Sequence, residues 1–247
     1  MRASSMEFRL RFAINAAIII MGFWAPWIEK LGIGQRISTE EWLALEISRL
    51  GIVTFSAAVP LVIVIAALFA AMGVLFRVCG TAYLGPATVN SMRMQAGAVM
   101  ADGPYRYLRN PLYLGIWCMA GALAFLMPVT GALFTMVLIT VFLLRLTLGE
   151  EAFLSARLGD PYQAYLRSAP RFFPRLRTTL PSAGTRPHWL RAIFAELTAI
   201  GVLIGVVVFA RTYNGELATR VILIFLGASL IVRALMPGVP VPAESKE

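Results

Sequence analysis

Residues 112–144 read LYLGIWCMAGALAFLMPVTGALFTMVLITVFLL, 33 consecutive positions without Asp, Glu, Lys, Arg or His. As one helix the stretch would be about 50 Å long, well beyond the roughly 30 Å hydrocarbon core of a bilayer. Pro128 has no amide hydrogen and disfavours helix at the residue before it. The stretch therefore divides there into two antiparallel spans, their far ends extended by Tyr107 and Arg145. A hairpin returns to the membrane face it left, so the residues leading into it and those following it share one side. The lead-in, Gly103-Pro104-Tyr105-Arg106-Tyr107-Leu108-Arg109-Asn110-Pro111-Leu112-Tyr113-Leu114-Gly115, holds two arginines, three tyrosines, two prolines and an amide in thirteen residues. A connector needs none of these, and the segment reads as a site.

The rest of the chain agrees with a membrane environment. Hydrophobic residues make up 59% of the 247 positions and charged residues 14%, against about 25% charged in soluble domains. There is too little polar surface to cover a globule, and lipid must cover the remainder. Gly51–Phe76 gives 26 uncharged residues closed by Arg77, and Phe12–Ile28 gives 17, with Trp24 and Trp27 at the far interface. Two further apolar runs lie at about 192–210, interrupted by Glu196, and at about 217–236. The expected fold is an all-α integral membrane protein of six spans, or five if the last run is interfacial. Glu196 at mid-helix would cost roughly 2.5–3.5 kcal/mol on insertion scales, so it should face the bundle or sit near an end, with a structural partner expected ahead of a catalytic role.

With a cytoplasmic N-terminus, the inner segments carry 17 of the 22 basic residues, as the positive-inside bias requires. The isoelectric point near 10.2 then reflects topology and anionic headgroups, and nucleic acid is not an expected partner. The first apolar run is long and lacks a small-residue cleavage site, so it reads as an anchor. One histidine, His188, and two unclustered cysteines, Cys79 and Cys118, leave no metal-ligand pattern.

The expected organisation has five parts: a front pair of spans (1–76), a polar core with the hairpin (77–175), a flexible linker (176–190), a back pair (191–236) and a disordered tail (237–247). Between the front spans, Ser38 and Glu41 form a capping box that opens a short amphipathic helix ending near Leu50, at the outer face. After the hairpin, Glu150–Ser168 reads as helix–turn–helix broken at Gly159-Asp160-Pro161. Gly201-x3-Gly205 is a small-residue packing motif, used for helix contact or for a homodimer.

Hairpin topology brings Tyr105, Arg106, Tyr107, Arg109 and Asn110 towards Glu150 and Glu151. Each of these residues also has a purely structural reading. Arg106 and Arg109 suit inner-face anchors, Glu150 and Glu151 a helix start favoured by its dipole, Arg145 a snorkelling span end, and the tyrosines an interfacial belt.

The series Gly103-Pro-Tyr-Arg-Tyr-Leu-Arg-Asn-Pro-Leu-Tyr-Leu-Gly115, then a hairpin, then Arg145-x4-Glu150-Glu151, Leu158-Gly159-x2-Tyr162-x2-Tyr165 and Pro170-Arg171-x2-Pro174, resembles the isoprenylcysteine carboxyl methyltransferase and phospholipid methyltransferase superfamily. The resemblance covers residues 77–175. It implies an S-adenosylmethionine site at the cytoplasmic interface, with Tyr105, Tyr107, Arg109, Asn110, Pro111, Tyr113, Gly115, Glu150 and Glu151 as cofactor-binding positions. Arg109, Glu151 and Arg145 are the implied catalytic positions, and Arg106, Tyr162, Tyr165 and Arg171 the implied contacts to the acceptor. Asn110 stands where many members carry histidine; Arg-Asn-Pro is similar to a bacterial variant, which points to a bacterial inner membrane.

The cofactor's carboxylate suits a bidentate arginine, its ribose suits a glutamate, and its sulfonium suits tyrosine faces at roughly 0.5–2 kcal/mol each. The acceptor expected is a membrane lipid or other lipophile entering from the bilayer: a phospholipid amine, a prenyl-thioether carboxylate, or a small hydrophobic thiol or alcohol. Two alternatives stand beside this one. Membrane sterol reductases resemble the same pattern and use NADPH, for whose 2′-phosphate Arg171, Arg175 and Arg177 are candidates. A non-catalytic lipid-binding protein of the same fold is the other.

Overall fold

The computed structural model describes residues 3–24, 37–85, 88, 101–182 and 184–235. Trp27, most of the loop after Leu84 including Arg93, and the 237–247 tail lie outside the described residues. The described helices are α1 (Ser5–Arg9), α2 (Arg11–Phe23), α3 (Thr39–Arg49), α4 (Phe55–Leu84), α5 (Pro111–Ala124), α6 (Val129–Leu158), α7 (Asp160–Ser168), α8 (Trp189–Ala195), α9 (Leu197–Thr212) and α10 (Gly215–Leu235), with a 3-10 turn at Gly103–Arg106. No named strand occurs among the described residues. The chain is an all-α membrane protein. Helices α4, α6 and α10 are long and apolar enough to cross a bilayer, and the bent pair α8–α9 makes a fourth candidate span. Helices α2 and α5 are apolar but shorter. The 14 residues of α5 rise only about 21 Å, so the polar cluster at its start is drawn towards the hydrocarbon layer.

The hairpin forms as its sequence dictates. Pro128 stands as N-cap of α6, and α3 seals the turn from outside. Thr39 N donates to Met127 O at 2.7 Å and Glu40 N to Phe125 O at 2.9 Å. The capping box of α3 is complete, with Ser38 Oγ accepting from Glu41 N and the Glu41 carboxylate accepting from Ser38 N. Helices α4 and α5 cross closely because both contribute glycine. A Cβ on Gly115 would lie 2.6 Å from Arg77 Cγ and 3.0 Å from Gly73 O, nearer than packed atoms approach. Beside this crossing, Phe8, Ile18, Tyr113, Ile139, Phe142, Leu143 and Leu146 form a buried cluster joining α1, α2, α5 and α6.

The structure corrects three expectations. Arg77 does not close its span: α4 runs on to Leu84, because the Arg77 guanidinium is buried against Glu196 rather than needing water. Glu150 and Glu151 do not begin a helix. They lie inside α6, so an N-terminal dipole plays no part in their placement. Segment 176–190 is not a free linker: Leu180 O accepts from Arg106 Nε and Nη2 at 2.9 and 2.6 Å, and the Asp102 carboxylate accepts from Ser182 Oγ and Thr185 N at 2.7 and 2.8 Å. Gly201-x3-Gly205 does make a helix contact, as expected: added Cβ atoms would collide with Phe225 and Ile222 of α10. Glu196 does face the bundle. It sits at the 66° bend between α8 and α9, where its backbone ladder is already broken.

Candidate functional site

The site begins with a tight turn. Gly103 has φ +53°, and a Cβ there would collide with the ring of Tyr83, so the chain turns under that ring only as glycine. Pro104 is the second residue of the 3-10 turn, which drives Tyr105 inward. Its hydroxyl reaches Gly80 O at 3.4 Å and its carbonyl accepts from Tyr165 Oη at 2.8 Å. Leu108 is fully buried beneath. Pro111 then opens α5 at the helix position where a missing amide hydrogen costs nothing.

A strap from α7 closes over this turn. Arg109 N donates to Pro170 O at 2.8 Å and Arg175 N donates to Tyr107 O at 3.1 Å. Asn110 is the N-cap residue of α5 but makes no side-chain cap bond; its Nδ2 donates instead to Arg171 O at 3.2 Å. The amide thus holds the strap, a positioning task for which no proton needs to move.

Glu151 gathers both segments. Its carboxylate accepts from Arg109 Nη1 at 2.9 Å and from Arg171 Nε and Nη2 at 3.2 and 2.8 Å. The Arg171 pair is bidentate, and its guanidinium is held protonated above its usual range by the hydrogen bond to Glu151. One helical position earlier, Glu150 Oε2 accepts from Tyr113 Oη at 2.9 Å. The two glutamates therefore differ. Glu151 is saturated by arginines, whereas Glu150 commits one oxygen to a phenol and keeps the other as an acceptor. Arg109 Nε is buried with no hydrogen-bond partner, an uncommon state for a guanidinium nitrogen.

The remaining candidate residues distribute as follows. Tyr162 and Tyr165 pack together with ring centroids 5.9 Å apart. Burial pushes the phenols of Tyr105, Tyr162 and Tyr165 upward, so all three act as neutral hydroxyls. Tyr107 is partly exposed at 37% and offers an open ring edge near the strap. Arg106 is turned away onto Leu180. Gly115 is spent on the α4–α5 crossing, and Pro111 on starting its helix. Arg145 lies outside the cluster: its Nε and Nη2 hold Glu7 at 3.1 and 3.0 Å, tying α1 to α6. Of the basic residues considered for a 2′-phosphate, Arg171 is engaged by Glu151 and Arg175 Nη1 by Ser168 O at 3.0 Å.

Sequence reading missed Arg11. It is buried, stacks over Phe8 and Phe12 at 4.2 and 4.6 Å, and lies within electrostatic reach of Tyr113 and Glu150. The available signal was an arginine directly at the start of an apolar run. Among the described residues no group of His, Cys, Asp or Glu is arranged to hold a metal ion.

The residues present fit a small zwitterionic cofactor. An orphaned buried guanidinium N–H suits a carboxylate, a glutamate oxygen suits a hydroxyl, and neutral phenols suit a cationic centre. Fold and cluster together define an all-α integral membrane protein whose polar site is assembled at the mouth of a helical hairpin. The phospholipid methyltransferase family matches residues 54–160, from the N-cap of α4 to the first residue of α7. The protein-S-isoprenylcysteine O-methyltransferase of Schizosaccharomyces pombe is 35% identical over 88 residues, 35% of this chain and 37% of that protein. Both findings support the isoprenylcysteine carboxyl methyltransferase and phospholipid methyltransferase superfamily. The chain spans little more than a third of that curated relative's length. No solved structure matches.

Proposed function

We propose that this protein is an integral membrane methyltransferase that uses S-adenosylmethionine and acts on a lipid or lipophilic acceptor. The observation that carries the reading is that Arg109 keeps an unsatisfied Nε while the half-committed Glu150 directly precedes its partner Glu151, on a segment matched by a methyltransferase family. Arg109 would grip the cofactor carboxylate, Glu150 a ribose hydroxyl, and Tyr107 would lie along the sulfonium. Bound there, the cofactor supplies an electrophilic methyl group for in-line displacement. Glu151, Arg171 and Asn110 position these groups by joining strap to hairpin. Exclusion of water beneath the strap and alignment of the two reactants account for most of the acceleration.

The acceptor enters laterally from the bilayer, and the excess of basic residues on the site's side favours an anionic lipid and a cytoplasmic orientation. Titration of the purified protein with S-adenosylhomocysteine and, separately, with NADPH tests the cofactor: binding of NADPH alone overturns the reading. Transfer of radiolabelled methyl into lipid and protein extracts then names the acceptor class. Label no greater than that given by Arg109→Ala defeats the enzymatic reading.

A further inference from the structure

At the end of the bundle opposite the Arg109–Glu151 cluster lies a second feature that the methyl-transfer reading does not use. A partly open cavity of about 870 Å³ is walled by Phe23 of α2, Leu126 of the hairpin turn, Phe209 of α9 and Leu223 of α10, with Glu40 and Glu41 of α3 at its side. The walls are mostly apolar. Glu41 is committed, because its carboxylate completes the α3 capping box. Glu40 is committed on one side only, where Ser38 hydrogen-bonds to its carboxylate. The residue lines the cavity, is only 3% exposed, and its Oε2 has no hydrogen-bond partner. A buried carboxylate oxygen left without a donor is costly, by about 1–3 kcal/mol or more. The backbone keeps it there: Glu40 N is tied to Phe125 O, so the residue cannot swing away without freeing the hairpin turn. The volume falls within the roughly 300–1,000 Å³ typical of small-molecule sites.

We propose that this cavity binds an amphiphile from the bilayer, with a primary ammonium head donating to Glu40 and an apolar chain lying along Phe23, Phe209 and Leu223. The head must be both cationic and a hydrogen-bond donor, because Glu40 and Glu41 together present two acidic groups and Glu40 Oε2 lacks a donor. A quaternary ammonium meets only the first requirement. The site is separated from the cluster by the length of α5, about 21 Å for 14 residues, so it holds whether or not the cofactor reading does.

The test uses the full chain in phosphatidylcholine nanodiscs. Two probes of equal chain length are added, each with a diazirine in the chain: a long-chain primary amine and its trimethylammonium counterpart. Adducts are mapped by peptide mass spectrometry. The amine is expected to label the α2 end and the start of α10 about tenfold more than the quaternary probe, as loss of a charge-assisted hydrogen bond implies. Glu40→Gln should bring amine labelling down to the quaternary level. Leu223→Trp, which fills the chamber and leaves Glu40 in place, should abolish labelling by both probes. Circular dichroism and gel filtration identify folded variants; if Glu40→Gln fails to fold, the Leu223→Trp result and the probe ratio decide. Equal labelling by the two probes, labelling indifferent to both substitutions, or adducts confined to other surfaces overturns the proposal. Binding of S-adenosylhomocysteine, measured on the same preparation, reports the other site independently.

Discussion

Two buried arginine–glutamate assemblies stand on either side of α4 and α5, and they are built differently. In the first, Glu196 accepts from Arg77 Nε at 2.5 Å, Arg77 Nη2 at 2.9 Å and Thr81 Oγ1 at 2.6 Å. Arg77, Thr81 and Glu196 are all buried, and none of the three has an unpaired buried side-chain atom. In the second, Glu151 likewise takes three donors. There, however, Arg171 remains 39% exposed at its side chain, and Arg109 Nε is buried without a partner. The first assembly is closed and mends the broken helix at Glu196. The second has unmet capacity beside a second carboxylate. Leftover hydrogen-bonding capacity, and not charge as such, separates a candidate site from a structural staple.

The largest expected effect tests the closed assembly. Glu196→Ala leaves a buried arginine unpaired, which should cost about 3–5 kcal/mol, read as a large fall in Tm. The double change Arg77→Met with Glu196→Leu should recover most of it, since a buried pair replaced by apolar groups is often neutral. Next comes the open assembly. Arg109→Ala should weaken S-adenosylhomocysteine binding by about 10–100-fold, the loss of one or two charge-assisted hydrogen bonds, with a smaller Tm loss than Glu196→Ala. If the two substitutions exchange these effects, the comparison is wrong.

A smaller effect belongs to Glu40. Desolvation, and then the nearby Glu41 charge, raise its carboxyl above the usual 4.5, so ionising it disfavours the folded state. Glu40→Gln should therefore raise Tm at neutral pH in amine-free detergent. Below about pH 4.5 the carboxyl is protonated folded and unfolded alike, and the advantage should disappear.

The smallest effect concerns Glu7. A hydrogen bond from Arg145, then one from Ser4, lowers its pKa from 4.5 to about 2. Its support for α1 is present above pH 4.5 and fades as pH falls towards 2. Protease sensitivity of the N-terminal segment should rise over that window and be pH-independent in Glu7→Gln. That variant should bind S-adenosylhomocysteine normally, because Arg145 works on α1 and not at the site.

Much of this was legible in the chain. Residues 112–144 fixed a hairpin broken at Pro128, because length and a missing amide hydrogen leave few alternatives. The pair Ser38 and Glu41 announced the start of α3, since a capping box is a local device. Glu196 inside an apolar run demanded a partner. What could not be read was which partner each charge would take. Arg145 and Arg109 look alike in sequence, both arginines at the ends of apolar spans, yet one holds Glu7 and the other Glu151. Glu150 and Glu151 are neighbours, but they point about 100° apart around α6, so one meets Tyr113 and the other two arginines. Gly115 looked like part of a binding motif and proved to be the close crossing with Gly73.

The sequence by itself determined the class of molecule, the hairpin and the segments that must meet at its mouth. Those follow from hydropathy, chain length and backbone chemistry, which act over a few residues or one turn. Only the tertiary structure decided which hydrogen-bonding groups are spent and which are left over. Satisfaction of a buried polar atom depends on donors 40 to 120 residues away in the chain, and no local pattern encodes that.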